Sequence, residues 1–274
     1  MRYGAHAVLD AAYASGIRYF DAARSYGMAE VFLAAWLEER GLEPGEVTVA
    51  SKWGYTYTAD WTVHAAVREV KDLSADSLRR QLAESREILG PRLGLYQIHS
   101  ATLESGVLED GAVLDQLAHL RSSGVSVGLS VTGPRQADTI NRALEVGGFD
   151  AVQATWNLLE PSAGPALAAA HAAGLLVIVK ESLANGRLTS RGSVRELGQA
   201  AGTVNSTPDA LAMAAVLAQP WADVVLSGAA TVHELTSNLA ALALNPGSAT
   251  IEQLDSIRED PVTYWETRAT LPWN

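Results

Sequence analysis

The chain has 274 residues, 48% hydrophobic and 19% charged, a globular composition that excludes a disordered segment of this length. Its 20 basic and 31 acidic side chains leave a net charge of −11, and it contains no cysteine. These counts argue against phosphate-backbone binding, which uses a basic face, and exclude disulfides, thiol nucleophiles and cysteine metal sites. No apolar run reaches the ~18 residues that span a bilayer. The opening stretch carries Asp10 and lacks the apolar core of a signal peptide. The expectation is a cytoplasmic protein, a monomer or homo-oligomer, with neither nucleic acid nor membrane as partner.

After a helix over about 5–15, short apolar runs alternate with longer helical patterns. Strands are predicted at 17–21, 47–51, 93–99, 125–130, 150–155, 175–180 and 223–228. The 3.6-residue period places helices at 29–40, 74–89, 113–123 and 165–173. Each stops at a glycine (Gly41, Gly90, Gly124, Gly174) just ahead of the next strand, where a left-handed residue closes a helix cheaply. Ser74 stands at an N-cap position, and Thr207-Pro208 reads as a cap followed by proline at the first helical position.

Strands apolar on both faces and separated by helices imply a parallel sheet covered by helices. A doubly wound sheet that binds dinucleotides calls for G-x-G-x-x-G after an early strand, and none is present. The pattern therefore predicts a single α/β barrel domain over 1–274, with no linker. In such a barrel the active site lies at the carboxyl ends of the strands. There the sequence puts Asp21, Lys52, His99, Ser130, Gln153, Lys180 and Ser227-Gly228, with Tyr26 in the loop after the first strand.

Taken singly, these residues have ordinary readings. Asp21 caps a turn, Tyr26 rests on the core, Lys52 is a solvated rim charge, and His99 is a satisfied core histidine. An Asp, a Tyr, a Lys and a His on one rim make a more specific pattern. A phenol ionises near pH ~10, and a neighbouring ammonium favours its phenolate, making it a usable general acid or base. Asp21 can serve as counter-charge to Lys52, and His99 can orient a substrate oxygen. The His, Asp and Glu spacings show no metal-ligand pattern, so no metal is expected.

The segments FDAARSYGMAE (20–30), SKWG (51–54), LGLYQIHS (93–100), GLSVTG (128–133), VQATWNLL (152–159), SLANGRL (182–188) and SGAATVHELTSNLAAL (227–242) resemble, in order, blocks of the aldo-keto reductases. The resemblance runs from about residue 5 to 243. It implies a (β/α)8 TIM barrel and hydride transfer between a nicotinamide cofactor and a carbonyl or alcohol. By this resemblance Tyr26 is the proton donor, Lys52 and Asp21 tune it, and His99 orients an aldehyde, ketone or sugar. The resemblance further implies that Ser130 and Gln153 hold the carboxamide and that Leu183, Asn185, Gly186 and Leu188 fold over the pyrophosphate. Asn238 then corresponds to the adenine-contacting asparagine. Val131 departs from the family's asparagine, and Lys180 replaces its nicotinamide-stacking aromatic residue. Trp53, Tyr55, Tyr57 and Trp61 offer an aromatic wall, with Trp53 and Tyr55 assigned to the substrate pocket.

Two further expectations concern the cofactor and the barrel. The family's phosphate-binding arginine falls on Glu234 and a lysine position on Gly228, and no lysine or arginine occurs between Trp221 and Arg258. Hence NAD(H) is expected over NADP(H). Only sixteen residues precede the first predicted strand, so the barrel is expected to lack its first strand, the gap being covered by a partner, an upstream segment or the stretch 245–274. Two rival readings are a cofactor-binding protein with a regulatory or subunit role, and a different barrel enzyme using Lys180 as a Schiff base.

Overall fold

A computed structural model describes residues 2–58 and 69–271. The chain begins with α1 (Arg2–Ala14), β1 (Tyr19–Asp21), α2 (Ala29–Glu39), β2 (Thr48–Trp53), β3 (Tyr55–Tyr57), β4 (Glu69–Lys71), α3 (Ala75–Leu89) and β5 (Leu93–Ala101). It continues through α4 (Gly111–Ser122), β6 (Ser126–Val131), α5 (Gln136–Val146), β7 (Ala151–Thr155), α6 (Gly164–Ala172) and β8 (Leu176–Lys180). The last elements are α7 (Arg195–Thr203), α8 (Pro208–Leu217), β9 (Val224–Val225), α9 (Val232–Leu239), α10 (Ser248–Gln253) and α11 (Pro261–Thr270). The main sheet among the described residues has seven strands in the order β1-β2-β5-β6-β7-β8-β9. Pairing is parallel from β1 through β2 and β5 to β6, and again between β8 and β9. This is the strand–helix alternation expected from the sequence, with β1 at the predicted first position.

The chain divides into two compact units. One holds Met1–Val131 and Arg142–Ala151, the other Thr132–Asn141 and Val152–Asn274. In the first unit α1 and α2 pack around Trp36, which is fully buried. Its ring meets Tyr13 and Phe20, and its indole N–H donates to Asp10 at 2.9 Å. Ser74 caps α3 by accepting from Ser77 N–H, and Gly90 closes that helix with φ 57°. In the second unit Thr207 caps α8 ahead of Pro208. There Leu158, Leu159, Leu188, Leu197, Leu211, Tyr264 and Trp265 form one buried cluster.

Two regions differ from the sequence reading, and a third takes a form that reading left open. The stretch between predicted strand 47–51 and predicted helix 74–89 contains β3, which pairs antiparallel with β4. Gln81 of α3 holds this hairpin, accepting from Gly54 N–H and donating to Tyr55 O and Thr56 Oγ1. Trp61 falls outside the described residues. The last strand shrinks from 223–228 to Val224–Val225. Asp223 is drawn aside to accept from Val177 N–H, and Gly228 turns the chain with φ 63°. Finally, α11 of the 245–274 tail buries Tyr264 and Trp265 against Leu158 and Leu188. The Tyr264 hydroxyl accepts from Asn157 Nδ2 at 3.0 Å. Trp273 lies outside the described residues.

One close approach tests this packing. A Cβ at Gly128 in β6 meets the Ala151 carbonyl oxygen at 2.8 Å and the Ala151 Cβ at 3.1 Å. Gly128→Ala is expected to destabilise the protein by about 1–3 kcal/mol, as overpacking does. Urea unfolding measures this, and an unchanged midpoint contradicts it.

Candidate active site

The first unit brings Asp21, Tyr26, Lys52 and His99 together. Asp21 ends β1 and His99 lies near the end of β5. Lys52 sits inside β2 rather than after it. Tyr26 lies in the loop between β1 and α2, whose backbone tracks β2 through Ala22 N–H to Ala50 O (2.8 Å) and Arg24 N–H to Lys52 O (3.0 Å). A polar cluster anchors that loop from both sides. Arg24, two residues before Tyr26, donates to Glu30 Oε2 at 2.5 Å and to Glu84. Glu30 Oε1 also accepts from Ser51 Oγ at 2.5 Å and Ser85 Oγ at 2.7 Å. Glu30 is 1% exposed, yet its carboxylate is hydrogen-bonded and charge-paired, as burial demands. The sequence reading missed this cluster, because an acidic residue in the first turn of a helix reads as ordinary dipole complementation.

Lys52 is the centre of the constellation. It is 1% exposed. Its ammonium donates to Asp21 Oδ2 and, at 2.9 Å, to Ala22 O. Burial pulls its pKa down, but the Asp21 charge, Tyr26 and the hydrogen bond to Asp21 outweigh burial and raise it above the ordinary lysine value. Asp21 Oδ1 accepts from Gln97 Nε2 at 3.3 Å and Tyr19 Oη at 3.5 Å. The Lys52 ammonium lies 5.1 Å from the centroid of the Tyr26 ring. The Tyr26 hydroxyl is 3.4 Å from His99 Nε2, and Tyr26 is 48% exposed, so its phenol opens to solvent above a buried charge pair. Tyr55 of the hairpin packs edge-on against His99, ring centroids 4.9 Å apart. Of the two aromatics assigned to the substrate pocket, Trp53 is fully buried and Tyr55 is the one packed on His99.

The other sequence-selected residues have these places. Ser130, 1% exposed in β6, accepts from Ser100 N–H through its Oγ at 2.8 Å. Val131 is fully buried, and Gln153 is buried in β7. Lys180 ends β8 beside Glu181. Burial raises the Glu181 pKa, but Lys180 and Arg268 outweigh this and hold it below the carboxylate range. The following segment contains four left-handed residues, Glu181, Ala184, Asn185 and Gly186. Leu188 anchors it in the core with Leu183 packed alongside, and Asn185 is exposed. The sequence did not reveal its clamps. Arg268 of α11 grips the Glu181 carboxylate, and Glu259 pairs with Arg187.

At the last strand–helix junction Asn238 is 5% exposed, and its amide donates to Ser227 O and Ser227 Oγ. Glu234 closes a capping box with Thr231, its Oε2 accepting from the N–H groups of Ala230 and Thr231. Those hydrogen bonds, the Ala230 one first, lower its pKa, and Arg191 approaches its other oxygen at 3.5 Å. With these partners the Glu234 side chain is still 36% exposed. The guanidinium absent from 222–257 in sequence is brought alongside from residue 191.

The buried pair makes a stability prediction. Asp21→Asn strands the Lys52 ammonium and is expected to cost about 3–5 kcal/mol. Lys52 binds its proton more tightly folded than unfolded. Its contribution is therefore full below the unfolded value of about 10.4 and is lost only as pH rises through the higher folded value. Denaturant titrations at pH 7 and above pH 11 test this. A variant as stable as wild type at pH 7 contradicts it.

Comparison with known proteins gives a consistent picture. The sequence profile described as "Aldo/keto reductase family" matches residues 3–259. A D-threo-aldose 1-dehydrogenase of a Pseudomonas species is 27% identical over 213 residues, 71% of this chain. The match spans 64% of that curated relative's length. Aldo-keto reductase AKR11C1 from Bacillus halodurans, in its holo form, superposes with TM-score 0.79 at 20% identity, over 96% of this chain and 89% of that one. Glycerol dehydrogenase AKR11B4 from Gluconobacter oxydans gives 0.76 at 20% identity, over 93% and 85%. These superpositions establish the fold as the aldo-keto reductase barrel expected from the sequence. With the profile covering nearly its whole length, the chain belongs to the aldo/keto reductase family.

Proposed function

We propose that this protein is a nicotinamide-dependent oxidoreductase acting between a carbonyl and an alcohol, on an aldehyde, ketone or sugar, with Tyr26 as general acid and base. The observation that carries the reading is the Tyr26 phenol, held 3.4 Å from His99 Nε2 over the buried Lys52–Asp21 pair. A phenol is a weak acid, and a positive charge near its ring stabilises the phenolate left when the proton is given up. In reduction Tyr26 hands its proton to the carbonyl oxygen as negative charge develops there, and Lys52 steadies the phenolate. In the reverse direction the phenolate takes the alcohol proton. His99 orients the same oxygen, Tyr55 flanks it, and Asp21 keeps Lys52 charged and aimed.

The residues present suit a dinucleotide. Ser130 Oγ accepts from a backbone amide, so its hydroxyl proton remains a donor for a carboxamide oxygen. A Cβ at Gly186 or Gly228 meets no heavy atom within 4 Å, so both backbones are open to approach, and Asn185 is exposed next to Gly186. We assign the cofactor to these residues with Gln153, Lys180, Leu183, Leu188, Ser227, Glu234 and Asn238. When bound, the nicotinamide supplies or receives the hydride. NAD(H) is preferred, because the Glu234 carboxylate stands where a 2′-phosphate would lie and is itself paired with Arg191. A 2′-phosphate must compete with Glu234 for Arg191.

Tyr26→Phe should lower kcat by about 10²–10⁴-fold, the usual scale of general acid–base catalysis, and leave the cofactor Kd unchanged. Nicotinamide absorbance with a panel of aldehydes, ketones and aldoses checks this, and a variant keeping a third of wild-type kcat contradicts it. Fluorescence titration should give a lower Kd for NADH than for NADPH. Glu234→Arg should reverse that order. Tighter NADPH binding by the unaltered chain overturns the preference.

A further inference from the structure

His99 stands at an irregularity in its strand. β5 pairs with β6 at Ile98↔Leu129 and next at Ala101↔Val131, three steps along one strand against two along the other. The extra residue is a β-bulge falling on His99 and Ser100. Bulges bend a strand locally and re-aim side chains, and they are frequent beside active sites. Ser100 has φ 59°, in the left-handed region that a non-glycine residue occupies only when its surroundings enforce it.

The enforcing groups are both side chains. Ser130 Oγ accepts from Ser100 N–H at 2.8 Å, replacing the ladder partner missing at the bulge. Lys71 Nζ donates to Ser100 O at 2.6 Å. Lys71 ends β4, so it is delivered by the hairpin that Gln81 ties to α3. The same ammonium lies 5.7 Å from the Tyr55 ring centroid, and Tyr55 packs on the His99 imidazole. Ser100 is thus held at its N–H and at its carbonyl, in the two peptide units that flank its Cα, while the His99 ring is flanked by the neighbouring strand of the same hairpin.

We propose that Lys71 is a positioning residue for His99: with Ser130 it clamps the bulge at Ser100 that turns the imidazole toward Tyr26. The inference rests on the reading of His99 as the group that orients the substrate oxygen. The clamp itself is a geometric claim that can be read without turnover. Lys71 is exposed, so truncating it leaves the core intact.

The test compares Lys71→Met, Lys71→Gln and Lys71→Arg by two readouts. The first is the His99 imidazole NMR signature, chemical shift and titration midpoint, in the free protein. The second is kcat and KM with a carbonyl substrate. Lys71→Met is expected to move the His99 resonances and to lower kcat about 10- to 100-fold, the scale of a small misplacement of a reacting group, at unchanged cofactor Kd. Lys71→Arg and Lys71→Gln keep a donor and should restore both readouts in large part. Moved His99 resonances in a series where even the wild type turns over no carbonyl support the clamp and count against the reductase reading alone. Unmoved resonances in Lys71→Met, or losses that Lys71→Arg fails to restore and that track the melting temperature, overturn the proposal.

Discussion

The Lys52–Asp21 pair is the constraint on which the rest of the site depends. A lysine that is 1% exposed in a parallel strand must keep a counter-charge or lose its proton. Asp21 provides it from the end of the neighbouring strand, where β1 and β2 run parallel with Asp21 opposite Ala50. Sheet register therefore sets the distance between ammonium and carboxylate. The Ala22 carbonyl takes a second ammonium proton, and Gln97 and Tyr19 donate to the remaining carboxylate oxygen. The result is a fixed positive charge under a solvent-facing phenol, an arrangement that water would screen at the surface.

Two devices bring Tyr26 and His99 to that charge, and they differ in kind. The Tyr26 loop is pinned by a buried ionic cluster, Arg24 and Glu30 meeting Ser51 and Ser85. The loop thereby joins α2, β2 and α3 within the first unit. His99 is aimed by backbone irregularity, a bulge whose freed amide and carbonyl are met by Ser130 and Lys71. Both arrangements use polar side chains to satisfy backbone groups or buried charge. Removing one partner therefore leaves the other a hydrogen bond short, and that desolvated group carries most of the cost. In the second unit α11 applies the same principle, with Arg268 on Glu181 and Tyr264 on Asn157 around a segment containing several left-handed residues.

Much of this was legible in the sequence, for definite reasons. Strand–helix alternation follows from hydrophobic period, and the helix stops at Gly90 and Gly174 from the need for positive φ. Asp21, Lys52 and His99 were found because strand ends are where a parallel α/β fold gathers its chemistry. The missing pieces depend on pairings distant in sequence. Lys71 and Ser100 are 29 residues apart, Arg24 and Glu84 are 60, and Arg268 and Glu181 are 87. No local period reports such pairs. The hairpin was hidden because its strands are three residues each, too short for an alternation to stand out. At Glu234, likewise, the capping box and Arg191 that engage its oxygens were not anticipated.

The central claim is that the buried ammonium of Lys52 acts on the phenol of Tyr26. Labelling tyrosine at the ring carbon that bears the hydroxyl, and following the Tyr26 resonance by NMR against pH, reads that interaction directly. The account predicts that Tyr26 loses its proton at lower pH in the wild-type chain than in Lys52→Met. Tyr26 resonances that titrate identically in the two folded proteins contradict it.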